Sequence, residues 1–185
     1  MALPIVVAIA IAVFAQVVSA TTSEPRGGVT VDMTLVGVDA IEVVYRMPAA
    51  CTTLPLATPF EESLVEHSRA AWVREGDCGE LDGGAIRRSG ACRDVRFRVP
   101  ASDEIHDRIY PPAYPIDGLG VYAHTGLFAP TDACGPVTWR FAAPRGEVVF
   151  DGRRRGRQVV VRDGDQSRPS FASVYLSARP LRATS

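Results

Sequence analysis

The chain has 185 residues, of which 20 are basic and 21 acidic, so its formal net charge is -1. This balance gives the protein no overall attraction to nucleic acid or to an anionic membrane, and it argues against nucleic acid as a partner. Every basic residue is arginine, and lysine and asparagine are both absent, which excludes N-linked glycans. Because the codons of both missing residues are AT-rich, the composition favours a GC-rich bacterial genome.

Residues 1–20 have the features of a signal peptide. An apolar run over residues 3–15 ends before Gln16, and the small side chains of Val18-Ser19-Ala20 suit a signal peptidase. Residues 21–27 then form a polar, flexible start of the mature chain. The pattern predicts export to the periplasm or to the extracellular space. An uncleaved membrane anchor is the alternative, because no basic residue precedes the run and its length is close to what a bilayer requires.

The mature chain is rich in short segments of β-type residues that are separated by Gly, Pro and Asp. Residues 28–36 alternate apolar and polar side chains, which is typical of a half-buried strand. In two of the connections between these segments, Asp151-Gly152 and Asp163-Gly164 predict tight turns in which glycine takes a positive φ. The other predicted strands are 41–47, 94–99, 120–124, 137–141, 147–150, 158–162 and 173–176.

One segment, residues 58–73, is compatible with two structures. Pro59 followed by Glu61 resembles the start of a helix, because acidic residues are favoured in the first turn. A strand that ends at Trp72 would suit the neighbouring β-type segments equally well. The pattern leaves both alternatives open.

The arrangement of these segments predicts an all-β fold. Long amphipathic repeats are absent, so an α/β sheet with crossover helices is disfavoured. We expect an antiparallel β-sandwich in a single domain over residues 28–178, followed by a C-terminal tail over residues 179–185.

The four cysteines are expected to form two disulfides that staple this sandwich. An even number of cysteines behind a signal peptide is typical of a disulfide framework. Structural zinc sites bring their ligands in close pairs and redox sites use C-x-x-C, and neither pattern occurs. The turn sequence Asp82-Gly83-Gly84 lets the chain fold back between Cys78 and Cys92. We therefore predict the pairs Cys78–Cys92 and Cys51–Cys134.

The three histidines lack the motifs of a catalytic site. H-E-x-x-H is absent, the inverted zinc motif that would end at His67 has Ser63 in place of its first histidine, and neither a nucleophile elbow nor a P-loop occurs. A catalytic role is thus disfavoured and no cofactor is expected. The alternative is a small exported metal-dependent enzyme, or a metal or anion binder, that uses His106, Asp107 and His124.

Two surface segments are candidates for contact with a partner. Residues 110–115 are rich in proline, and with residue 122 they place Tyr110, Tyr114 and Tyr122 on a stiff backbone, where burial of tyrosine costs little entropy. The partner would be another protein domain, a polypeptide or a glycan, and an ordered structural loop is the alternative. A basic cluster near the C terminus is either a solvated hairpin tip or an anion-binding surface. It consists of Arg153, Arg154, Arg155 and Arg157.

The order of several segments resembles the N-terminal β-domain of exported gluzincin metallopeptidases. These segments are residues 41–45 (IEVVY), 92–100 (CRDVRFRVP), 134–141 (CGPVTWRF) and 148–152 (VVFDG). The resemblance implies a β-sandwich scaffold that contacts a neighbouring domain. In that family the zinc motif lies in a separate downstream domain, so the resemblance assigns no catalytic residue here. Together, these features favour an exported, non-catalytic scaffold or interaction domain.

Overall fold

The computed structural model describes residues 27–105, 111–162 and 172–181. Over these ranges the chain is mostly β-structure with one short α-helix, α1, at Glu62–Ala70. The strands are β1 Val29–Val36, β2 Ala40–Arg46, β3 Thr53–Pro55, β4 Val73–Glu75, β5 Gly79–Asp82, β6 Ala85–Arg88, β7 Asp94–Pro100, β8 Ala113–Ile116, β9 Gly120–His124, β10 Val137–Ala142, β11 Glu147–Phe150, β12 Arg154–Gly156, β13 Gln158–Arg162 and β14 Ser173–Ser177.

Two large sheets form a sandwich around a common apolar core. The first has the strand order β13-β10-β1-β2-β7-β4, and the second has the order β12-β11-β14-β9-β8. Alternate side chains of β1, such as Val31 and Met33, are fully buried and share this core with Phe150 and Leu176 of the second sheet. The predicted β-sandwich is confirmed.

The first sheet contains a parallel pair, β1 with β10, whereas the other described strand pairs are antiparallel. A parallel pair requires a long crossover between its strands. Here the chain between residues 36 and 137 completes part of the first sheet and then builds β8 and β9 in the second. The chain therefore re-enters the first sheet as β10, which runs parallel to β1.

The eight predicted strands are confirmed with end shifts of only a residue or so. Along β1 and β10, buried and half-buried residues alternate strictly. Six further strands have only three or four residues each, which is too short to establish a period of two by itself. They are β3, β4, β5, β6, β8 and β12.

A small third sheet, with the order β3-β6-β5, contains the hairpin that the glycine-rich turn predicted. Gly83 and Gly84 both have positive φ, 52° and 77°, and they connect β5 directly to β6. The hairpin is closed by Cys78–Cys92, and Cys51–Cys134 is the second disulfide. Both predicted pairings are confirmed, and they indicate an oxidising, exported environment.

A second turn behaves as its sequence predicts. At Asp151-Gly152 both residues have positive φ, 50° and 64°, and the amide of Arg153 donates to the carbonyl of Phe150 at 3.0 Å. This geometry connects β11 to β12 in a tight hairpin. The turn predicted at Asp163-Gly164 lies outside the described residues.

The ambiguous segment 58–73 contains helix α1 and then enters β4. The residues that α1 buries, Val65, Ser68 and Arg69, are spaced i, i+3 and i+4, so they lie on one face of the helix. Glu62 lies in the first turn, where a negative charge interacts favourably with the helix dipole and stabilises the helix. The helical alternative is thus the correct one for residues 62–70.

Some predictions concern residues outside these ranges. They include the signal segment 1–20 and the candidate residues His106, Asp107 and Tyr110. Within the described ranges, no helix combines the length and the apolar character needed to span a bilayer.

Candidate contact surface

The outer face of the second sheet carries a row of aligned aromatic side chains. Tyr114 of β8 lies directly opposite Tyr122 of β9, which lies opposite Tyr175 of β14. The same register continues through Val149 of β11 to Arg155 of β12. Because neighbouring residues along these strands point into the core, the aligned side chains point outward. We call Tyr114, Tyr122 and Tyr175 the tyrosine row.

The rings of the tyrosine row line a shallow groove of about 410 Å³. The ring centroids of Tyr122 and Tyr175 are 5.0 Å apart, and their planes are tilted by 51°. Tyr175 is 38% exposed, and the hydroxyl of Tyr122 lies 3.2 Å from Ser173 Oγ. The groove is lined by Tyr114, Pro115, Ile116, Asp117, Tyr122 and Tyr175.

A tight hairpin fixes the position of the first two tyrosines. Asp117 and Gly118 both have positive φ, 39° and 67°, and the amide of Leu119 donates to the carbonyl of Ile116 at 2.6 Å. Pro115 is tolerated because, among the described strands, β8 lies at the edge of its sheet and pairs with β9 alone. The proline-rich segment therefore supplies a rigid edge to the groove.

The arginines of the basic cluster are divided between different surroundings. Arg155, at the end of the aligned row, forms an ion pair with Glu147 at 3.1 Å and donates to the carbonyl of Leu181 at 3.3 Å. Arg154 donates to the carbonyl of Val160 at 3.1 Å. Of the predicted contact residues, the structure thus brings together Tyr114, Tyr122 and Arg155. The remaining members of the cluster are exposed outside the row: Arg153 and Arg157.

His124, proposed above as a metal or anion ligand, has a structural contact. Its Nδ1 accepts a hydrogen bond from the amide of Gly126 at 3.3 Å, which caps a 3-10 turn at Thr125–Leu127. Burial lowers the pKa of its imidazole from 6.5. Among the described residues, no group of three or more His, Cys, Asp or Glu side chains is arranged to hold a metal.

This environment makes the stability of the domain depend on pH. Because the pKa of His124 is lower in the folded chain, the unfolded chain binds more protons near and below pH 6.5. We expect the melting temperature to fall as the pH is lowered from about 7.5 to about 5.5. The melting temperature of the His124→Asn variant should fall less over the same range. Asn offers an acceptor in place of Nδ1 without titrating. Equal falls for both proteins, measured by thermal unfolding across this range, would contradict the assignment.

Two members of the aligned row, Tyr175 and Val149, are absent from the sequence-based prediction. Tyr175 alternates with the apolar residues Val174 and Leu176, so an outward position could have been read from the period of two. Its proximity to Tyr122 could not have been read from the sequence, because it depends on the pairing of β14 with β9, which are about fifty residues apart.

No protein-family model matches the chain, and the search of curated proteins finds no similar one.

Proposed function

We propose that the chain is an exported, non-catalytic binding domain that holds a glycan chain on the tyrosine row. The observation that carries this proposal is the alignment of three tyrosines on adjacent strands. Adjacent strands are about 4.8 Å apart, which is close to the width of one sugar ring, so successive rings of a glycan can follow successive tyrosines.

The chemistry of the groove suits a sugar better than a protein surface. A pyranose presents C–H groups on its faces and hydroxyls at its rim. The aromatic faces of the row offer stacking for the former, and the side chains of Asp117 and Ser173 offer hydrogen bonds for the latter. A tyrosine ring and these polar side chains together would bind one sugar residue.

A protein partner would require a contiguous apolar centre. The large apolar side chains that are exposed in the described chain are instead scattered over its surface, and one of them belongs to the tyrosine row. They are Val38, Phe60, Val73, Ile105, Val160 and Tyr175. This distribution favours a narrow ligand over a docked domain.

The tilt of the rings narrows the class of glycan. Two rings inclined by 51° cannot both lie flat on one crystalline face. The ligand is therefore a single, flexible polysaccharide chain rather than the surface of a crystalline polymer.

Removal of one ring tests the proposal. We expect Tyr175→Ala to weaken binding to soluble polysaccharide about tenfold, because one stacked ring contributes about 1 to 1.5 kcal/mol. Binding would be measured by affinity electrophoresis and calorimetry against hydroxyethyl cellulose, xylan, galactomannan and chitin oligomers. Tyr122→Phe, which keeps the ring but loses the hydroxyl near Ser173 Oγ, should lose less.

Val160→Ala is the matched control, since Val160 is exposed on β13 of the other sheet. It should bind like the unaltered chain. Binding of no polysaccharide in the panel would reject the glycan, and binding of a reduced, carboxymethylated polypeptide instead would show that the row holds polypeptide. A Tyr175→Ala variant with full affinity would reject the site.

Two other functions stay predictions. The scaffold role beside a peptidase domain, which the family resemblance implies, is tested by reading the coding sequence beyond codon 185 for an in-frame H-E-x-x-H. The metal-dependent alternative is tested by the melting temperature with and without a chelator, for the unaltered chain and for His106→Ala.

A further inference from the structure

Arg69 of helix α1 is a buried cation without a carboxylate partner. It is 5% exposed, and among the described residues no acidic side chain forms an ion pair with it. Burial lowers the pKa of its guanidinium. A buried charge is normally paired, because removing it from water is costly. Arg69 is therefore the group to examine for an unassigned ligand.

The hydrogen bonds of Arg69 leave one end of its guanidinium unused. Nε donates to the carbonyl of Leu127 at 3.1 Å, and Nη2 donates to the carbonyls of Ala57 and Leu127 at 2.6 and 3.0 Å. Within the described chain, no hydrogen bond uses Nη1. This atom lies beside the hairpin turn, where a β-carbon placed on Gly84 would be 3.9 Å away. Two N–H groups of the guanidinium are thus available to a ligand.

Nη1 lies at a cleft of about 530 Å³ between α1, the first sheet and the disulfide-closed hairpin β5–β6. This volume is within the range of small-molecule sites. One wall is aromatic: the indole of Trp72 stacks on Phe128 at 4.9 Å and lies 5.5 Å from Phe97. The buried Nε1 of Trp72 has no hydrogen-bond partner in the described residues. The lining residues are Glu66, Arg69, Ala70, Trp72, Arg74, Glu80, Leu81, Gly83, Gly84 and Phe97.

The rim of the cleft carries Arg74, whose Nη2 lies 3.9 Å from Asp77 Oδ1, and two carboxylates. The side chains of Glu66 and Glu80 are exposed, and within the part of the chain that the structure describes neither carboxylate accepts a hydrogen bond or forms an ion pair. The cleft thus combines an unused cationic donor at a buried position with two unpaired carboxylates at its opening. A ligand that matches both must carry a negative and a positive group.

We propose that this cleft binds the zwitterionic backbone of a free amino acid or a dipeptide. The carboxylate of the ligand accepts from Arg69 Nη1, and its ammonium group faces Glu66 and Glu80. An apolar side chain of the ligand packs against Trp72 and Phe97. The site is separate from the tyrosine row and does not depend on the proposed glycan.

The fluorescence of Trp72 provides the test. The chain has two tryptophans, so Trp139→Phe leaves Trp72 as the sole indole reporter. L-leucine, L-phenylalanine and L-alanyl-L-leucine are titrated as zwitterions, with N-acetyl-L-leucine and L-leucinamide as analogues that keep one charge each. We expect a saturable change with a zwitterion and at least about tenfold weaker binding of each analogue. The absence of a saturable change with all three zwitterions would overturn the proposal.

Variants that neutralise the rim carboxylates distinguish a loss of ligand binding from a loss of folding. Glu66→Gln with Glu80→Gln is expected to weaken zwitterion binding about tenfold but not to weaken binding of N-acetyl-L-leucine, because removal of two carboxylates reduces the repulsion of this anion. Glu62→Gln, on the same helix but outside the cleft, is the matched control and should bind normally. Equal affinity of the double variant and the unaltered chain would overturn the proposal even if a zwitterion binds.

Discussion

Loss of the Cys51–Cys134 disulfide is expected to destabilise the domain by about 4.5 kcal/mol. The bond closes a loop with a sequence separation of 83, and in the chain-entropy model its removal frees the unfolded chain by about that amount. The segments that follow Cys51 and precede Cys134 are also joined by backbone hydrogen bonds, among them the one from the amide of Ala57 to the carbonyl of Ala129 at 2.7 Å. The measurement is urea unfolding of the Cys51→Ala, Cys134→Ala double variant.

The second disulfide provides the comparison. Cys78–Cys92 closes a loop with a separation of 14, so the Cys78→Ala, Cys92→Ala variant should lose only about 3 kcal/mol. If the short loop costs as much as the long one, the loss does not come from the entropy of the unfolded chain. Retention of full stability without Cys51–Cys134 would show that local packing alone holds the third sheet to the sandwich.

Both pairings could be predicted from the sequence because one local signal settled a choice among few alternatives. Four cysteines allow three pairings, and the turn at Gly83-Gly84 selects the one that joins Cys78 to Cys92. The long strands were predictable for a similar reason, since a sheet with one buried face imposes a period of two on its residues. Alternation and turn chemistry act within a few residues, so they are visible in one sequence.

The candidate sites depend on contacts that no local pattern contains. The tyrosine row requires β14 to pair with β9 in one register, and a shift by one residue would turn Tyr175 into the core. The cleft requires Arg69, at the end of a short helix, to approach the β5–β6 turn and the carbonyl of Leu127. In the sequence Arg69 is one arginine among twenty, and its burial is a property of the tertiary fold alone.

Truncation of Phe141 is expected to destabilise the core strongly. Phe141 of β10 is fully buried, and its ring lies 5.8 Å from Trp139 on the same strand and 5.1 Å from Phe150 of the second sheet. It therefore joins the two layers of the sandwich. We expect Phe141→Ala to cost about 3 to 5 kcal/mol in the free energy of unfolding, measured with urea, because the cavity cannot collapse between two sheets.

Two variants make this expectation specific to the ring contact. Phe141→Leu keeps most of the volume and should cost less than about 2 kcal/mol, whereas Val160→Ala, at an exposed position of β13, should change stability by no more than about 0.5 kcal/mol. A loss of under about 1 kcal/mol for Phe141→Ala would mean that the layers do not depend on this contact.

Phe141→Ala combined with loss of Cys51–Cys134 should give additive losses if the two sites share no partner. Their sum of about 8 kcal/mol is comparable to the total stability of an ordinary domain, about 5 to 15 kcal/mol, so the combined variant is expected to unfold at a much lower urea concentration than either single-site variant.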